Sequence, residues 1–486
     1  MEAIFLVPGI EGSRLNLGTE EIWPPTPFEA VVGYHRIDKL LDPRAVATAV
    51  IDQVTIFYPV YRPLIEELNK IAIALRAKTI LFAYDWRSDL WTSTAPFTAA
   101  SELLARAIDK SVRDGASSVT LVCHSMGCLV ARLVIESPKY KNTSWYKKIE
   151  KFVAICGPHL GAPVALVRAL GLEGSSGISA DDMKRVAGDP RYPAGYQCFP
   201  APGIDVLYDV STGELKTLDI YNVGVDRTYD LTRKNVLAAQ TTFNILNIDS
   251  HPSGIRYIFI AGQGFDTVKA LVFNKLRLVD KLTEDGDGVV PVWSSIAGKK
   301  VVRYTMPGDH IGIMETYQFK QTLHDVLGSP MMLTLSVTET PGLTVTINKR
   351  TFSPEEMIDV VLVLDAPTVE IDGHLRVVSV TNVAALTSGA EPQLAQYGAG
   401  LPVVYRGAQT MHVSMRLAAP GVPGAYILQF DGTHRTTAAT AAAFYVNKAA
   451  TASPTVIPQG TRSIARTKGV NARISKMRKP KKGSSR

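Results

Sequence analysis

The fold is decided by residues 119–127, which read VTLVCHSMG and are followed by the helical run Cys128–Glu136. An apolar strand that ends in a serine and turns at once into a helix holds that serine in a strained conformation, with its hydroxyl at the sheet edge. Small residues are needed two positions before and after the serine, because the backbone packs tightly there. Gly127 meets this condition, and Cys123 stands where glycine is usual. The pattern predicts that Ser125 is a nucleophile; the simpler alternative is a serine that caps a helix.

A serine nucleophile needs a base, because its hydroxyl is weakly nucleophilic at neutral pH. On such a sheet the partners follow the serine in the order carboxylate and then histidine, each on a loop after a later strand. Asp287 lies in the segment EDGDGVVP at residues 284–291, and His310 directly follows the predicted strand Val301–Met306. We therefore predict that His310 accepts the serine proton and that Asp287 orients its imidazole.

Simpler alternatives exist for both partners. Asp287 would fit a plain Asp-Gly turn or a loop cation site, and Asp285 competes with it for the same role. His310 would fit an exposed loop histidine. His124 and His159 are weaker candidates for the base, because the first points away from the turn and the second precedes a long insertion.

The oxyanion that forms during acyl transfer is expected to bind two backbone N–H groups. One belongs to Met126, the residue after the nucleophile. We predict that the other belongs to Ile10, in the loop Pro8–Gly12 after the first strand, where glycines let the backbone approach the serine. A plain Pro-Gly turn is the alternative for this loop.

Short apolar runs alternate with helical stripes through the first two thirds of the chain. The predicted strands are Ile4–Val7, Thr79–Ala83, Val119–His124, Phe152–Cys156, Ile255–Ala261 and Val301–Met306. The predicted helical faces are Val60, Leu64, Leu68, Ile71 and Leu75, and Phe97, Ala100, Leu104 and Ile108. This alternation indicates a doubly wound parallel sheet, and with the serine turn it predicts the α/β-hydrolase fold. The stretch at about 160–254 has no comparable strand and predicts a cap insertion over the site.

The pattern changes after Gly328-Ser329-Pro330. Short strands separated by turn residues follow, at Leu333–Val337, Leu343–Ile347, Val360–Leu364, Leu375–Val380, His412–Leu417 and Tyr426–Phe430. They predict a small all-β sandwich of immunoglobulin-like type, without the Cys–Trp–Cys signature. The predicted domains are the catalytic domain at 1–328, the β-sandwich at 331–448 and a basic tail at 449–486 that we expect to be disordered.

The net charge of +7 belongs to the tail, because residues 451–486 contain ten Lys or Arg and no acidic residue. Residues 1–450 then carry 42 basic against 45 acidic residues. Such a tail could bind an anionic membrane surface, bind nucleic acid without specificity or simply aid solubility. We expect no specific nucleic-acid partner, and the sequence names no protein partner for the β-sandwich.

No run approaches the roughly 20 apolar residues that span a bilayer. The start, MEAIFLV, lacks the basic region and long apolar run of a signal peptide. The sparse cysteines are typical of a reduced chain rather than a disulfide framework; they are Cys123, Cys128, Cys156 and Cys198. The expected location is cytoplasmic, with peripheral membrane contact or export without a cleaved signal as alternatives.

Six motifs, in order, resemble those of the lecithin:cholesterol acyltransferase family, which includes lysosomal phospholipase A2-type enzymes and phospholipid:diacylglycerol acyltransferases. They lie within residues 1–328, at Val7–Leu15, Ala83–Arg87, His124–Gly127, Gly157–Pro163, Asp285–Pro291 and His310–Met314. The resemblance implies a lipid-ester substrate, an acyl-serine intermediate and no metal or other cofactor. It matches Ser125, Asp287 and His310 to the catalytic triad, and Ile10 and Met126 to the oxyanion positions. One feature differs, since extracellular members carry a disulfide-bound lid near the N-terminus and residues 16–58 contain no Cys.

The expected function is therefore that of a serine hydrolase or O-acyltransferase that cleaves lipid acyl esters, with water or an alcohol as acceptor. A general carboxylesterase of small soluble esters is the alternative among enzymes. A catalytically inactive binding protein that acts through its β-sandwich is the alternative from another class. The presence of Ser125, Asp287 and His310 together argues against this last alternative.

Overall fold

The structure, a computed structural model, describes residues 1–55, 58–331, 342–383, 385–388, 391–433 and 441–447. The strands are β1 (Glu2–Val7), β2 (Ser13–Leu17), β3 (Glu20–Trp23), β4 (Val46–Val50), β5 (Gln53–Thr55), β6 (Tyr58–Pro59), β7 (Lys78–Leu81), β8 (Ser118–His124), β9 (Ile149–Ile155), β10 (Leu207–Asp209), β11 (Lys216–Thr217), β12 (Arg256–Gln263), β13 (Phe265–Asn274), β14 (Arg277–Gly286), β15 (Val302–Pro307), β16 (Leu343–Ile347), β17 (Thr351–Phe352), β18 (Met357–Val380), β19 (Leu394–Ala418), β20 (Gly424–Gly432) and β21 (Ala442–Val446).

The α-helices are α1 (Pro27–Val32), α2 (Ile37–Leu40), α3 (Arg62–Leu75), α4 (Ala100–Arg113), α5 (Gly127–Glu136), α6 (Pro163–Ala169), α7 (Ala180–Gly188), α8 (Val223–Thr228), α9 (Arg233–Ile245), α10 (Val292–Ser295), α11 (Tyr317–Leu327) and α12 (Ala385–Ser388). Short 3-10 turns lie at Tyr146–Lys148, Pro193–Cys198, Ile248–Ser250 and Gly312–Glu315. Within the described ranges, no helix is long and apolar enough to cross a membrane.

A six-stranded sheet forms the centre of the catalytic region, in the spatial order β15, β12, β9, β8, β1, β7, with every neighbouring pair parallel. Each of its strands overlaps a predicted one, which confirms the predicted parallel sheet. Side chains of β1 alternate between the two faces. Phe5 and Val7 pack with residues of α4 and α5, whereas Ile4 and Leu6 pack with residues of α3 and α11. Helices therefore cover both faces, as the apolar strands require.

Two further layers lie over the carboxyl ends of these strands. Near the N-terminus, β2, β3 and β4 form a small sheet beside α1 and α2. The predicted cap contains α6 to α9 with β10 and β11, and β10 pairs with β13 of the β13–β14 hairpin. This hairpin lies beyond the predicted end of the cap. A β-bulge between Val268 and Ala270 breaks the alternation that marks a strand in the sequence.

The region after α11 is rich in β-structure, as predicted, but an immunoglobulin-like sandwich is not confirmed. Its described strands form one hydrogen-bonded sheet in the order β16, β18, β20, β21, β17, with β19 also paired to β18. The predicted strands Val360–Leu364 and Leu375–Val380 are two parts of the single strand β18. The first part pairs with β16 and the second with β20, because β18 is long enough to serve both neighbours. The predicted strand Leu333–Val337 and the tail at 449–486 lie outside the described residues.

Candidate active site

Ser125 lies on the tight turn between β8 and α5, with φ of +53°. Its amide donates to the Ile155 carbonyl at 2.9 Å, which ties the turn to the neighbouring strand. A Cβ placed on Gly127 would lie 2.5 Å from the Pro8 and Val7 carbonyl oxygens, so only glycine fits there. The cysteine at position 123 is fully buried. The chain therefore forms the predicted serine turn, with cysteine accommodated at the position where glycine is usual.

The structure brings Ser125, His310 and Asp287 together from three separate loops. His310 Nε2 lies 2.9 Å from Ser125 Oγ, and His310 Nδ1 lies 2.8 Å from Asp287 Oδ2. The Asp287 carboxylate is buried, and its other oxygen accepts the Val289 and Val290 amides at 2.8 and 2.6 Å. Burial would raise the pKa of Asp287, but His310 and these amides lower it. An ionised Asp287 can accept the Nδ1–H of His310, which leaves Nε2 free to accept the serine proton.

Asp285, the competing carboxylate, lies elsewhere. Its Oδ1 accepts the Gly264 amide at 2.7 Å, at the end of the β13–β14 hairpin. Asp287 lies just beyond that hairpin, and its carbonyl accepts the His310 amide at 2.9 Å. The hairpin register therefore places Asp287 at the histidine.

The two predicted oxyanion residues lie on the backbone around the serine. The Pro8–Gly12 loop approaches so closely that a Cβ on Gly9 would lie 2.7 Å from the Ser125 Cβ. Tyr84 holds the loop by donating its hydroxyl to the Pro8 carbonyl at 2.9 Å. Among the described residues, the Ile10 and Met126 amides donate no hydrogen bond, so both can serve a ligand.

A buried tyrosine–histidine pair connects the loops of the site, and the sequence did not predict it. The Tyr61 hydroxyl accepts the Gly9 amide at 2.8 Å and lies 2.7 Å from His124 Nδ1. His124 Nε2 lies 2.8 Å from the His310 carbonyl. A carbonyl only accepts, so Nε2 carries the proton and Tyr61 donates to Nδ1. Burial, reinforced by His310, lowers the pKa of His124 to about 3 and keeps the ring neutral. His124 therefore takes a structural position beside the serine rather than the role of base.

Cys156 lies beside the acid and the base. Its sulfur and one ligand atom each of Asp287 and His310 lie within 4.8 Å of one another, the spacing of a metal site. A metal would require a deprotonated thiol. Burial, together with neighbouring Asp287, raises the pKa of the Cys156 thiol well above its usual range. Hydrogen bonding to the carboxylate therefore suits this group better than metal ligation.

Ser125 and His310 line a cavity of about 450 Å³, a size that suits a small organic or lipid ligand. Its apolar lining residues include Trp23, Pro24, Ile51 and Val60, and its polar ones include residues from the cap and from the β16–β17 loop. Pro25, next to Trp23 and Pro24, also lines the cavity. The charged residues that line the cavity carried no local signal in the sequence, because they come from parts of the chain that are far apart.

Residues 41–178 match the sequence model of the lecithin:cholesterol acyltransferase family. The match contains three of the six motifs, at Ala83–Arg87, His124–Gly127 and Gly157–Pro163. The other three motifs lie outside it. No curated protein matches the chain at a significant level.

The solved structures that match the chain include two with low TM-scores. Phospholipase PlaB from Legionella pneumophila shares 10% identity, with 92% of this chain and 90% of that chain covered and a TM-score of 0.21. The Pseudomonas fluorescens alkylpurine DNA glycosylase AlkC bound to DNA containing an abasic site analog shares 16% identity, with a TM-score of 0.14. That alignment covers 22% of this chain and 29% of the glycosylase chain. At these TM-scores neither comparison supports a statement about this protein. Residues 41–178 are therefore similar to the lecithin:cholesterol acyltransferase family, which agrees with the predicted resemblance over the three motifs that lie in this range.

Proposed function

We propose that this protein is a serine hydrolase or O-acyltransferase that acts on lipid acyl esters through an acyl-Ser125 intermediate. The observation that carries the proposal is a chain of two hydrogen bonds at the wall of a cavity. His310 Nε2 lies 2.9 Å from Ser125 Oγ, and His310 Nδ1 lies 2.8 Å from Asp287 Oδ2. A serine and a histidine at this distance, with the histidine held by a buried carboxylate, are arranged for proton transfer during nucleophilic attack.

The reaction would proceed in two displacements. Ser125 Oγ forms a bond to the ester carbonyl carbon while its proton passes to His310 Nε2. The Ile10 and Met126 amides hold the resulting oxyanion. When the carbon–oxygen bond of the leaving alcohol breaks, His310 returns the proton to that oxygen. Water or a second alcohol then gives its proton to His310 and attacks the acyl group, and Ser125 leaves with the proton.

The lipid class of the substrate is supported by two observations. The family model that matches residues 41–178 is that of lecithin:cholesterol acyltransferase, whose name describes transfer of a lipid acyl group. The cavity lining also combines apolar side chains with polar and charged groups, which suits an ester with an apolar chain and a polar head. A small soluble ester would leave part of the cavity unfilled.

Labelling with a fluorophosphonate probe tests the nucleophile. We expect the wild-type protein to be labelled on Ser125 and the Ser125→Ala variant to remain unlabelled, because the probe reacts only with an activated serine. Ser253→Ala, at an exposed serine, is the matched control and should be labelled like the wild type. A folded wild-type protein that fails to react would reject the enzyme proposal in favour of a binding protein.

The substrate class is tested with phospholipid vesicles and short-chain nitrophenyl esters in parallel. We expect fatty acid to be released from the vesicles. If the protein is an acyltransferase, the fatty-acid ester of a long-chain alcohol should form when that alcohol is added. Good turnover of nitrophenyl esters without any release from lipid would instead identify a general carboxylesterase. Ser125→Ala, which should abolish both activities, excludes a contaminating lipase.

A further inference from the structure

The C-terminal β region contacts the turn that carries His310. Asp309 precedes this histidine, and its side chain is 5% exposed. The carboxylate oxygen Oδ2 accepts the Ile347 amide, from the end of β16, at 3.3 Å, and Arg350 Nη2 lies 3.6 Å from the same oxygen. Within the part of the chain that the structure describes, every hydrogen bond or ion pair that reaches Oδ2 therefore comes from the C-terminal β region.

Asp309 in turn holds the backbone around the histidine. Its other oxygen, Oδ1, accepts the Ile311 and Gly312 amides at 3.0 and 2.9 Å, which closes a turn with His310 in its middle. The space around this turn is full, since a Cβ on Gly312 would lie 2.3 Å from Asp309 Oδ2 and 3.2 Å from Thr346 Cγ2. A shift of the Asp309 carboxylate would therefore shift the turn and the imidazole that it carries.

The C-terminal β region also contacts the turn that carries Asp287. Asn348 is the first residue after β16, and a Cβ on Gly288 would lie 2.8 Å from its carbonyl oxygen. Phe265 forms a β-bridge with Asp287 and packs with Val361 of β18. The region therefore lies directly beside the proposed acid as well as beside the proposed base.

The β16–β17 loop, residues 348–350, has a fixed shape because it is bonded to the sheet. The Asn348 amide donates to the Asp359 carbonyl at 3.2 Å, and Asn348 Oδ1 accepts the Asp359 amide at 3.2 Å. The Arg350 carbonyl accepts the Tyr445 amide at 2.9 Å. The Arg350 side chain is 11% exposed, so water and salt screen its attraction to the carboxylate only weakly. A loop tied to β18 and β21 in this way can hold a neighbouring carboxylate in one place.

We propose that Arg350 is a positioning residue for the acyl transfer, which it serves by fixing Asp309 and through it His310; this inference rests on the proposed function. The Arg350 guanidinium and the Ile347 amide fix the Asp309 carboxylate, and the carboxylate fixes the turn that places His310 Nε2 2.9 Å from Ser125 Oγ. General base catalysis needs the two atoms held at this distance. The C-terminal β region, which lies outside the family match at residues 41–178, thereby completes the active site.

Arg350→Gln tests the positioning role through kinetics. We expect kcat on a short-chain nitrophenyl ester to fall about tenfold with KM within about twofold, because a displaced imidazole affects the transition state rather than substrate binding. The rate at which a fluorophosphonate labels Ser125 should fall by about the same factor, since labelling needs the same activation of the serine. Arg416→Gln is the matched control and should change neither rate. Arg416 also joins the C-terminal β region to the catalytic region, through Asp266 at 2.7 Å, but away from the His310 turn.

The contrary results are distinct. A change in KM alone, or a loss confined to some esters, would show that Arg350 contacts the substrate from the cavity wall and would overturn the positioning role, as would unchanged rates. Arg350→Lys, which keeps the positive charge, should recover part of both rates. The melting temperature shows whether each variant folds. If Arg350→Gln does not fold, Arg350→Lys replaces it, with an expected fall in kcat of about threefold and an unchanged kcat as the contrary result.

A double-mutant cycle tests the route through Asp309. Asp309→Asn keeps an oxygen that can accept the two backbone amides but removes the negative charge that faces Arg350. If Arg350 acts through this carboxylate, adding Arg350→Gln to Asp309→Asn should lower kcat by less than about twofold further, because the pair is already broken. A further loss of about tenfold, equal to the loss in the wild-type background, would show that Arg350 acts by another route and would overturn the assignment.

A spectroscopic measurement separates this inference from the proposed function. The Nδ1–H proton of His310, hydrogen-bonded to Asp287, should give a low-field proton resonance that His310→Asn removes. Arg350→Gln should shift or weaken this resonance whether or not the protein is an enzyme, and Arg416→Gln should leave it in place. A resonance that moves in a protein that never reacts with fluorophosphonate would reject the enzyme proposal alone. Normal labelling, with the resonance and kcat unchanged by Arg350→Gln, would reject the positioning role alone.

Discussion

Tyr61 and His124 connect the loops that carry the proposed oxyanion amide and base. Tyr61 accepts from the Gly9 amide and donates to His124, which in turn donates to the His310 carbonyl. None of these groups touches the reacting atoms in the proposed mechanism. They are positioning residues, because they fix two backbone segments relative to Ser125 through hydrogen bonds that only one neutral tautomer of His124 permits.

Tyr61→Phe removes one hydroxyl from this connection and leaves the Gly9 amide without its acceptor. We expect kcat to fall about 10- to 100-fold with KM within about threefold, because a misplaced oxyanion loop affects the transition state more than substrate binding. Steady-state kinetics with a nitrophenyl ester measures this split. Tyr34→Phe is the control, since Tyr34 also donates one buried hydrogen bond, to the Ile22 carbonyl at 2.7 Å, away from Ser125. An effect of Tyr61→Phe on KM alone, or one no larger than the control, would contradict the positioning role.

At the scale of the element, the strand β8, the serine turn and α5 act as one unit against the first strand. The backbone of α5 begins so close to β1 that the carbonyl oxygens of Val7 and Pro8 occupy the space of a side chain at position 127. This unit cannot move away from β1, because β8 lies in the middle of the sheet and every residue of α5 is buried. Close packing of this kind explains why a local turn motif predicts a global fold.

Gly127→Ala tests this packing. Alanine is the better helix former by about 1 kcal/mol, but its Cβ would lie 2.5 Å from two backbone oxygens that cannot move cheaply. Overpacking should cost about 1–3 kcal/mol or more, which exceeds the gain in helix propensity, so the free energy of unfolding should fall. Urea unfolding measures the change. Gly254→Ala, where a Cβ meets no atom within 4 Å, is the control and should be nearly neutral; equal behaviour of the two variants would rule out the packing argument.

At the scale of the whole molecule, the cavity is enclosed by parts of the chain that are far apart in sequence. The C-terminal β region is held to the rest by the Asn447 amide, which donates to the Ala30 carbonyl at 3.2 Å, and by the Arg416–Asp266 ion pair at 2.7 Å. The catalytic region itself encloses titratable groups. His124 and His159 are both buried in neutral form, since burial lowers the pKa of each.

The two histidines predict how stability depends on pH. The folded pKa of His124, about 3, lies below its ordinary value of 6.5, so below pH 6.5 the unfolded chain binds a proton that the folded chain excludes. Stability that is full above pH 6.5 is therefore lost as the pH falls toward 3, by about 1.4 kcal/mol per pH unit for each such histidine. We expect His124→Asn to reduce this slope by about 1.4 kcal/mol per pH unit, because the variant lacks one of the two histidines that take up a proton on unfolding.

Denaturant unfolding between pH 7.5 and 4.5, followed by tryptophan fluorescence, measures this slope. All five tryptophans lie before residue 328, so the signal reports on the region that contains His124. His374→Asn, at an exposed histidine in β18, should leave the slope unchanged. Parallel curves for the wild type and His124→Asn would contradict the assignment of the proton to His124.

By itself the sequence determined the parallel sheet and predicted Ser125 and His310 as site residues, with Asp287 or Asp285 as the carboxylate. The six strands are rich in apolar residues, and the serine turn is a local pattern with strict size limits at Gly127. Both signals come from neighbouring residues, so periodicity and spacing suffice to predict them. The choice of Ser125 was clear without the structure, whereas the choice between Asp285 and Asp287 was open.

Only the tertiary structure decided the contacts between distant segments. The hairpin register selected Asp287, and Tyr61 met His124 across 63 residues of sequence. The same holds for Arg168 and Arg350, which line one cavity from the cap and from the C-terminal β region. The strands Val360–Leu364 and Leu375–Val380 looked separate in the sequence and proved to be one. Hydrogen-bond register and long-range packing join residues that share no local pattern, so they become visible only once the chain is folded.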